Sequence, residues 1–333
     1  MVGFFVFDGR ADGPATPNKR FPPSCVPPTE PPNKPNRPVK AFLPLALLLL
    51  LCSCDPAPDT SATEELDVLV EETDPYAERV AAARQRLYTG NEAAQLVWRA
   101  TEAHGGLAKW YAAGPLYYHF DYQPEPGEDG SPRNTTILND YANARAVHTS
   151  VNEPEQQFGY DGEQAWSTTG EKVDGMSPRF WSLTPYYFVG LPFVLADEGI
   201  NYELLPDAEL DGKTYDMVKV TYEAGTGDAP DDYYVLYLDP DDGQLDALRY
   251  IVSYPGFFED GKHLPEKLMK ITGKTTVDGI TLPTGYATHW WNEGQPSERI
   301  TAITVSDYAF RPDSPEEAFA MPAGAKPFTD LPQ

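Results

Sequence analysis

The sequence predicts a mainly β domain of the α+β kind: an antiparallel sheet entered through N-terminal helices. Three observations carry this expectation. Apolar and polar residues alternate with period two over much of residues 116–310. Turn signals such as Asp161-Gly162, Asp211-Gly212 and the run Asp239-Pro240-Asp241-Asp242-Gly243 separate those stretches. Strands do not alternate with long helices, so a parallel sheet is not expected.

The first helix is expected over residues 75–87, with Asp74 as cap and Pro75 at the first helical position. Tyr88-Thr89-Gly90 breaks it. The second starts near Asn91, carries Ala94, Leu96, Val97, Ala100 and Thr101 at helical spacing, and ends at His104-Gly105-Gly106. A short turn then bears Leu107, Trp110 and Tyr111. In the first strand Leu116, Tyr118, Phe120 and Tyr122 share one face. Residues 137–149 read as one or two strands. Further strands are expected at 157–160, 164–167, 215–222, 233–238, 247–254, 268–276, 280–291 and 299–310. One apolar segment, residues 184–199, interrupts the series and reads as a broken helix packed over the sheet.

The chain of 333 residues has a net charge of −26. Such a surface repels nucleic acid and anionic headgroups, so a nucleic-acid role is excluded. All three cysteines (Cys25, Cys52 and Cys54) lie at or before residue 54. The domain beyond them therefore has no disulfide and no thiolate metal site.

Residues 41–53 (AFLPLALLLLLCS) form an apolar run too short for a span, which needs roughly 20 residues. With Lys40 before it, the run fits the apolar part of a signal peptide. It ends Leu51-Cys52-Ser53-Cys54, which resembles the bacterial lipobox. The thiol of Cys54 would take the diacylglycerol and anchor the chain to a membrane. Ten prolines crowd residues 1–38, which read as a start-site error ahead of a natural start at Val39, or else as a long leader. Residues 55–74 hold eight acids and no Lys or Arg, a flexible tether. The organisation is thus a leader or error over 1–38, a signal peptide over 39–53, an acidic tether over 54–74 and one domain over 75–333.

Several features resemble the LolA/LolB-like fold: the helix ending His104-Gly105-Gly106 with Trp110, then Tyr160-Asp161-Gly162 to Trp166, then Tyr186 to Leu195. The hairpin from Leu238 to Leu245 and the pair around Thr275-Val277-Asp278-Gly279 complete the match. The resemblance covers roughly residues 91–311 and is nearest a lipoprotein family of the Bacteroidota. It implies a strongly curved, incompletely closed antiparallel β-barrel wrapped around helices, with an apolar cavity. It also implies an outer-membrane location, with the periplasmic or surface face left open. Acids beside the lipidated Cys resemble the surface-export tag of Bacteroidota lipoproteins, whereas Asp55 follows an enterobacterial inner-membrane retention rule.

No Gly-x-Ser-x-Gly elbow, phosphate loop, dinucleotide fingerprint or zinc-protease histidine pair occurs, so no catalytic residue, cofactor or metal is expected. His104 reads as a helix-end residue whose charge suits the helix dipole, and Asp239–Gly243 as a plain hairpin turn. The distinctive residues are aromatic: Trp110, Phe120, Trp166, Trp181, Tyr186, Tyr187, Phe188, Phe193 and Trp290 are the candidate cavity lining. Residues 184–199 would form a lid hinged at Gly190 and Pro192. The leading expectation is a non-enzymatic lipoprotein binding a lipid or acyl chain. The alternatives are a scaffold or partner-binding envelope protein with a filled core, and a hydrolase with an unrecognised site. The acidic charge serves solubility or adaptation to salty water. On the second account the melting temperature rises clearly with added NaCl in thermal denaturation; a flat response contradicts it.

Overall fold

The computed structural model describes residues 75–128, 130–259 and 261–332. The signal segment, Cys54, the tether and Asp74 lie outside them. Helices α1 (Ala77–Tyr88), α2 (Glu92–Ala103) and α3 (Leu107–Ala112) come first. Strands β1 (Leu116–Pro124), β2 (Arg133–Asp140), β3 (Arg145–Ser150), β4 (Gln157–Tyr160) and β5 (Ala165–Ser167) follow. Helix α4 (Pro178–Gly190) and a 3-10 turn at Phe193–Ala196 separate these from the next group. That group is β6 (Ile200–Leu210), β7 (Lys213–Tyr222), β8 (Tyr234–Leu238), β9 (Leu245–Tyr250), β10 (Lys267–Val277), β11 (Ile280–Asn292), β12 (Gln295–Phe310) and β13 (Lys326–Phe328).

The thirteen strands among the described residues join one sheet in the order β13-β5-β4-β3-β2-β1-β12-β11-β10-β9-β8-β7-β6. Every pairing is antiparallel. The edges β6 and β13 do not pair with each other, so the sheet is open, as expected. Its curvature follows from what α4 touches. His148 on β3 bonds the Ser182 carbonyl, while Tyr187 reaches Tyr222 on β7. Those two strands stand eight places apart, about 38 Å on a flat sheet. The thirteen-residue helix is about 20 Å long. Only a sheet wrapped around α4 brings both strands to it.

The period-two reading holds on β1, where Leu116, Tyr118, Phe120 and Tyr122 are buried and their neighbours are not. Asn91 caps α2 by accepting from the Ala94 amide at 2.8 Å. Two-residue hairpins at Asp211-Gly212 and Asp278-Gly279 have positive φ at both positions, the backbone that matches strand twist.

Other expectations shift. Helix α1 begins at Ala77 after Tyr76, so Pro75 precedes the helix rather than opening it. The residues expected as a short turn after α2 form a helix, α3. Helix α4 starts six residues before the apolar segment, where Ser177 accepts from the Phe180 amide and Pro178 opens the first turn. Its internal proline is Pro185. Pro192 lies beyond it, in a cis peptide after Leu191. Strand β6 was not foreseen, because Pro206 and three acids obscure its alternation. As an edge strand it tolerates both, and they blunt further pairing.

Strand β4 packs so closely that Gly159 is required. A Cβ there would stand 2.4 Å from the Ala146 carbonyl oxygen and 2.8 Å from the Trp166 ring. Gly159→Ala is expected to cost about 1–3 kcal/mol and to lower the melting temperature by several degrees in calorimetry. An unchanged melting temperature would show that β4 does not approach β3 and Trp166 this closely.

Candidate functional site

Seven of the nine predicted cavity residues meet on the concave face. Trp110 on α3 stacks on Phe193 at 4.3 Å between ring centroids. Trp181 on α4 packs edge-on against Phe120 and Tyr122 of β1, at 6.4 and 5.8 Å. Tyr186 stacks on Tyr141 at 4.4 Å, and Tyr187 on Tyr234 at 5.0 Å. Phe188 meets Tyr250 and Tyr286, and the Tyr286 hydroxyl donates to the Phe188 carbonyl at 2.9 Å. Two predicted residues stand apart. Trp166 is buried on β5 beside Gly159. Trp290 lies at one end of the face on β11, its ring 5.1 Å from the Lys267 ammonium.

The rings pack on one another across the face. A pocket of about 140 Å³ remains between α4, the 3-10 turn and strands β6 and β7. Leu183, Tyr186, Tyr187, Val194, Ile200 and Tyr222 form its apolar walls, and Asp197 and Glu198 also border it. The Tyr187 and Tyr222 hydroxyls bond each other, and burial pushes both phenols well above their ordinary range.

Most of residues 184–199 lies deep in this arrangement: Leu183 to Ala196 are buried throughout, while Asp197 and Gly199 are half-buried and Glu198 is exposed. A Cβ at Gly190 would come within 2.6 Å of the Tyr141 ring and 2.7 Å of Val194. The far end of the segment is clamped by α1. Arg79 pairs with Asp197 at 2.8 Å and donates to the Ala142 carbonyl at 2.6 Å, while Arg86 donates to the Ala196 carbonyl. Burial pushes the Asp197 carboxyl up against the opposing pull of Arg79.

His104 corrects its sequence reading. It does not serve the helix dipole with a charge; it is a buried neutral imidazole. Its Nδ1 faces the Thr281 carbonyl at 3.1 Å, and its Nε2 faces the Leu245 amide at 3.2 Å. A carbonyl can only accept and an amide only donate, so Nδ1 carries the proton. The ring thus ties the end of α2 to β9 and β11. Burial holds it down to about 4. His148 is the matching peg for α4: its Nε2 donates to the Ser182 carbonyl at 3.0 Å, and burial holds it down to about 3.

The Asp239–Gly243 turn is a hairpin, as expected, and Lys213 bonds Asp239 at 2.5 Å and Asp246 at 2.8 Å. The sequence reading missed two inward cations, Arg133 and Lys267. Strand phase would have found them. Arg133 shares parity with the buried Thr135, Ile137 and Asn139, and Lys267 with the buried Met269.

No family model matches the chain, and no curated protein matches it significantly. Among solved structures, a LolA superfamily protein from Nitrosomonas europaea aligns at 14% identity with a TM-score of 0.46, covering 68% of this chain and 97% of that one. A DUF1329 family protein from Desulfovibrio piger aligns at 13% identity with a TM-score of 0.46, covering 69% and 98%. Likeness at this level is one of outline.

The two pegs set an acid limit. Above pH 6.5 each histidine is neutral, folded or unfolded. As pH falls from 6.5 toward 4, the unfolded chain takes up protons that the folded chain refuses, so stability falls. For His104 the full effect is about 3 kcal/mol. Thermal denaturation is expected to show a melting temperature falling from pH 7 to pH 4.5. His104→Gln keeps a donor and an acceptor without the titration, and should make that fall shallower. An equally steep fall would mean that His104 is not held neutral.

Proposed function

We propose that this chain is a non-enzymatic lipoprotein of the cell envelope, attached through lipidated Cys54, whose concave face takes an apolar ligand such as a lipid or acyl chain. The carrying observation is the apolar pocket beside Tyr186, Tyr187 and Tyr222. Among the described residues no helix is long and apolar enough to cross a membrane; the attachment proposed here rests on the lipobox ending at Cys54.

At about 140 Å³ the pocket matches a cavity for one benzene-sized molecule, about 150 Å³. Sites for larger ligands run to roughly 300 Å³ and above. The pocket therefore holds a short apolar end, and a whole chain requires residues 184–199 to move as a lid. Gly190 and Pro192 bound the turn where that motion would hinge, and release of Arg79 from Asp197 would free the far end.

A second reading is favoured by the ring-on-ring packing of the same face: a partner-binding envelope lipoprotein with a filled core. It predicts no lipid ligand and a protein partner captured by cross-linking.

Ile200→Trp fills the pocket from the β6 side. Affinity for a fluorescent fatty-acid analogue, measured by titration, should fall at least tenfold while the melting temperature stays within a few degrees. Unchanged affinity would place the ligand elsewhere, and absence of binding to the unaltered protein would leave the filled-core reading.

A further inference from the structure

One end of the concave face is cationic. Arg133 on β2 pairs across the sheet with Tyr122 of β1. Lys267 on β10 pairs with Tyr250 of β9 on one side and Trp290 of β11 on the other. Residues directly opposite in an antiparallel pair share a face. Tyr122 and Tyr250 belong to the concave core, so both cations point inward. The Arg133 guanidinium lies over the Trp181 and Tyr122 rings, at 4.4 and 5.1 Å from their centroids. Lys267 is 1% exposed. Burial brings its ammonium down to about 7, the charge of Arg133 acts in the same sense, and Glu128 from the β1–β2 connection opposes both.

Three hydroxyls share this end of the face. Thr288 on β11 pairs with Thr301 on β12 and, on its other side, with Met269, two residues beyond Lys267. Tyr250 stands directly opposite Lys267. All three residues are buried, and their hydroxyls make no hydrogen bond among the described residues. A buried hydroxyl without a partner costs stability, and native structures rarely gather several in one place without a use for them. The chain as a whole is strongly acidic, yet this buried end gathers two cations beside hydroxyls that have no partner among the described residues.

We infer that this end of the concave face recognises the anionic head of an amphiphile, a carboxylate or phosphate held by Arg133 and Lys267 with the hydroxyls of Tyr250, Thr288 and Thr301. This rests on reading the face as a ligand site, and it names the ligand class. Charge-assisted bonds from guanidinium and ammonium suit either head. The apolar tail has a direction as well. Tyr250 stacks with Tyr234 at 6.0 Å and Tyr234 with Tyr187 at 5.0 Å, so a line of rings leads from Lys267 to the apolar pocket.

The test titrates the purified full chain with dodecanoate and dodecyl phosphate below their micelle concentrations and with dodecanol below its solubility limit, following tryptophan fluorescence. The expected result is an affinity for at least one anion ten or more times that for dodecanol. The tighter anion then distinguishes a fatty-acid head from a phosphate head. Lys267→Met and Arg133→Met should each lower anion affinity at least tenfold and leave dodecanol unaffected, while Lys267→Arg keeps anion affinity within about threefold. Dodecanol binding as tightly as both anions would overturn the anionic head and leave the apolar site standing. Binding of none of the three would remove both. A preference for anions that survives both methionine substitutions would overturn the assignment to this cluster. Where a variant fails to fold, the comparison of the three ligands on the unaltered chain decides alone.

Discussion

An open sheet with an apolar concave face cannot bury that face against itself, and the packing of α4 into it is the contact on which the rest depends. A closed barrel would satisfy its inner side chains across the lumen. Here β6 and β13 are separate edges, so a helix must supply the opposing surface. Helix α4 does so with Trp181, Tyr186, Tyr187 and Phe188, all buried against the sheet. Burying an aromatic side chain contributes on the order of 2–3 kcal/mol. A domain whose cysteines all lie at or before residue 54 has no disulfide to substitute for that term. The polar anchors serve the same contact. His148 pegs α4 to β3, His104 pegs α2 to the sheet, and Arg79 and Arg86 clamp the chain leaving the 3-10 turn.

This arrangement sets core packing against free volume on the face. The better α4 fills the face, the less room a ligand has. At one end of the face lie buried cations and hydroxyls that have no partner among the described residues, where a core built for packing alone would carry methyl groups. At the other it is a small apolar pocket that the same aromatic rings could have closed. The two ends are joined by the stacked rings of Tyr250, Tyr234 and Tyr187, so both belong to one face.

Much of the fold was legible because its signals are local. Alternation on β1, the Asn91 cap and the Asp-Gly turns each need only a few neighbouring residues. The neighbours β1 and β12, from opposite ends of the domain, carry no such mark: their register depends on the whole sheet. The apolar segment was legible as buried but not as central, because a helix apolar on every side reads alike whether it covers a core or is one. Its true start, Ser177-Pro178, was a readable cap that the search for apolar residues passed over. For the site, aromatic composition found the concave cluster but also gathered Trp166, which packs elsewhere. Composition weighs residue type and ignores strand phase, and phase is what places Arg133 and Lys267 inside. His104 was misread because its surroundings decide its charge, and those surroundings come from β9 and β11.

The central claim is that the concave face is a ligand site. Native mass spectrometry of the Cys54→Ser chain, purified gently from a bacterial host without detergent, tests it most directly. The account predicts a discrete added mass that disappears on denaturation and is identified as an amphiphile. A clean apo mass that persists after incubation with envelope lipids would contradict it and make the aromatic cluster a filled core alone.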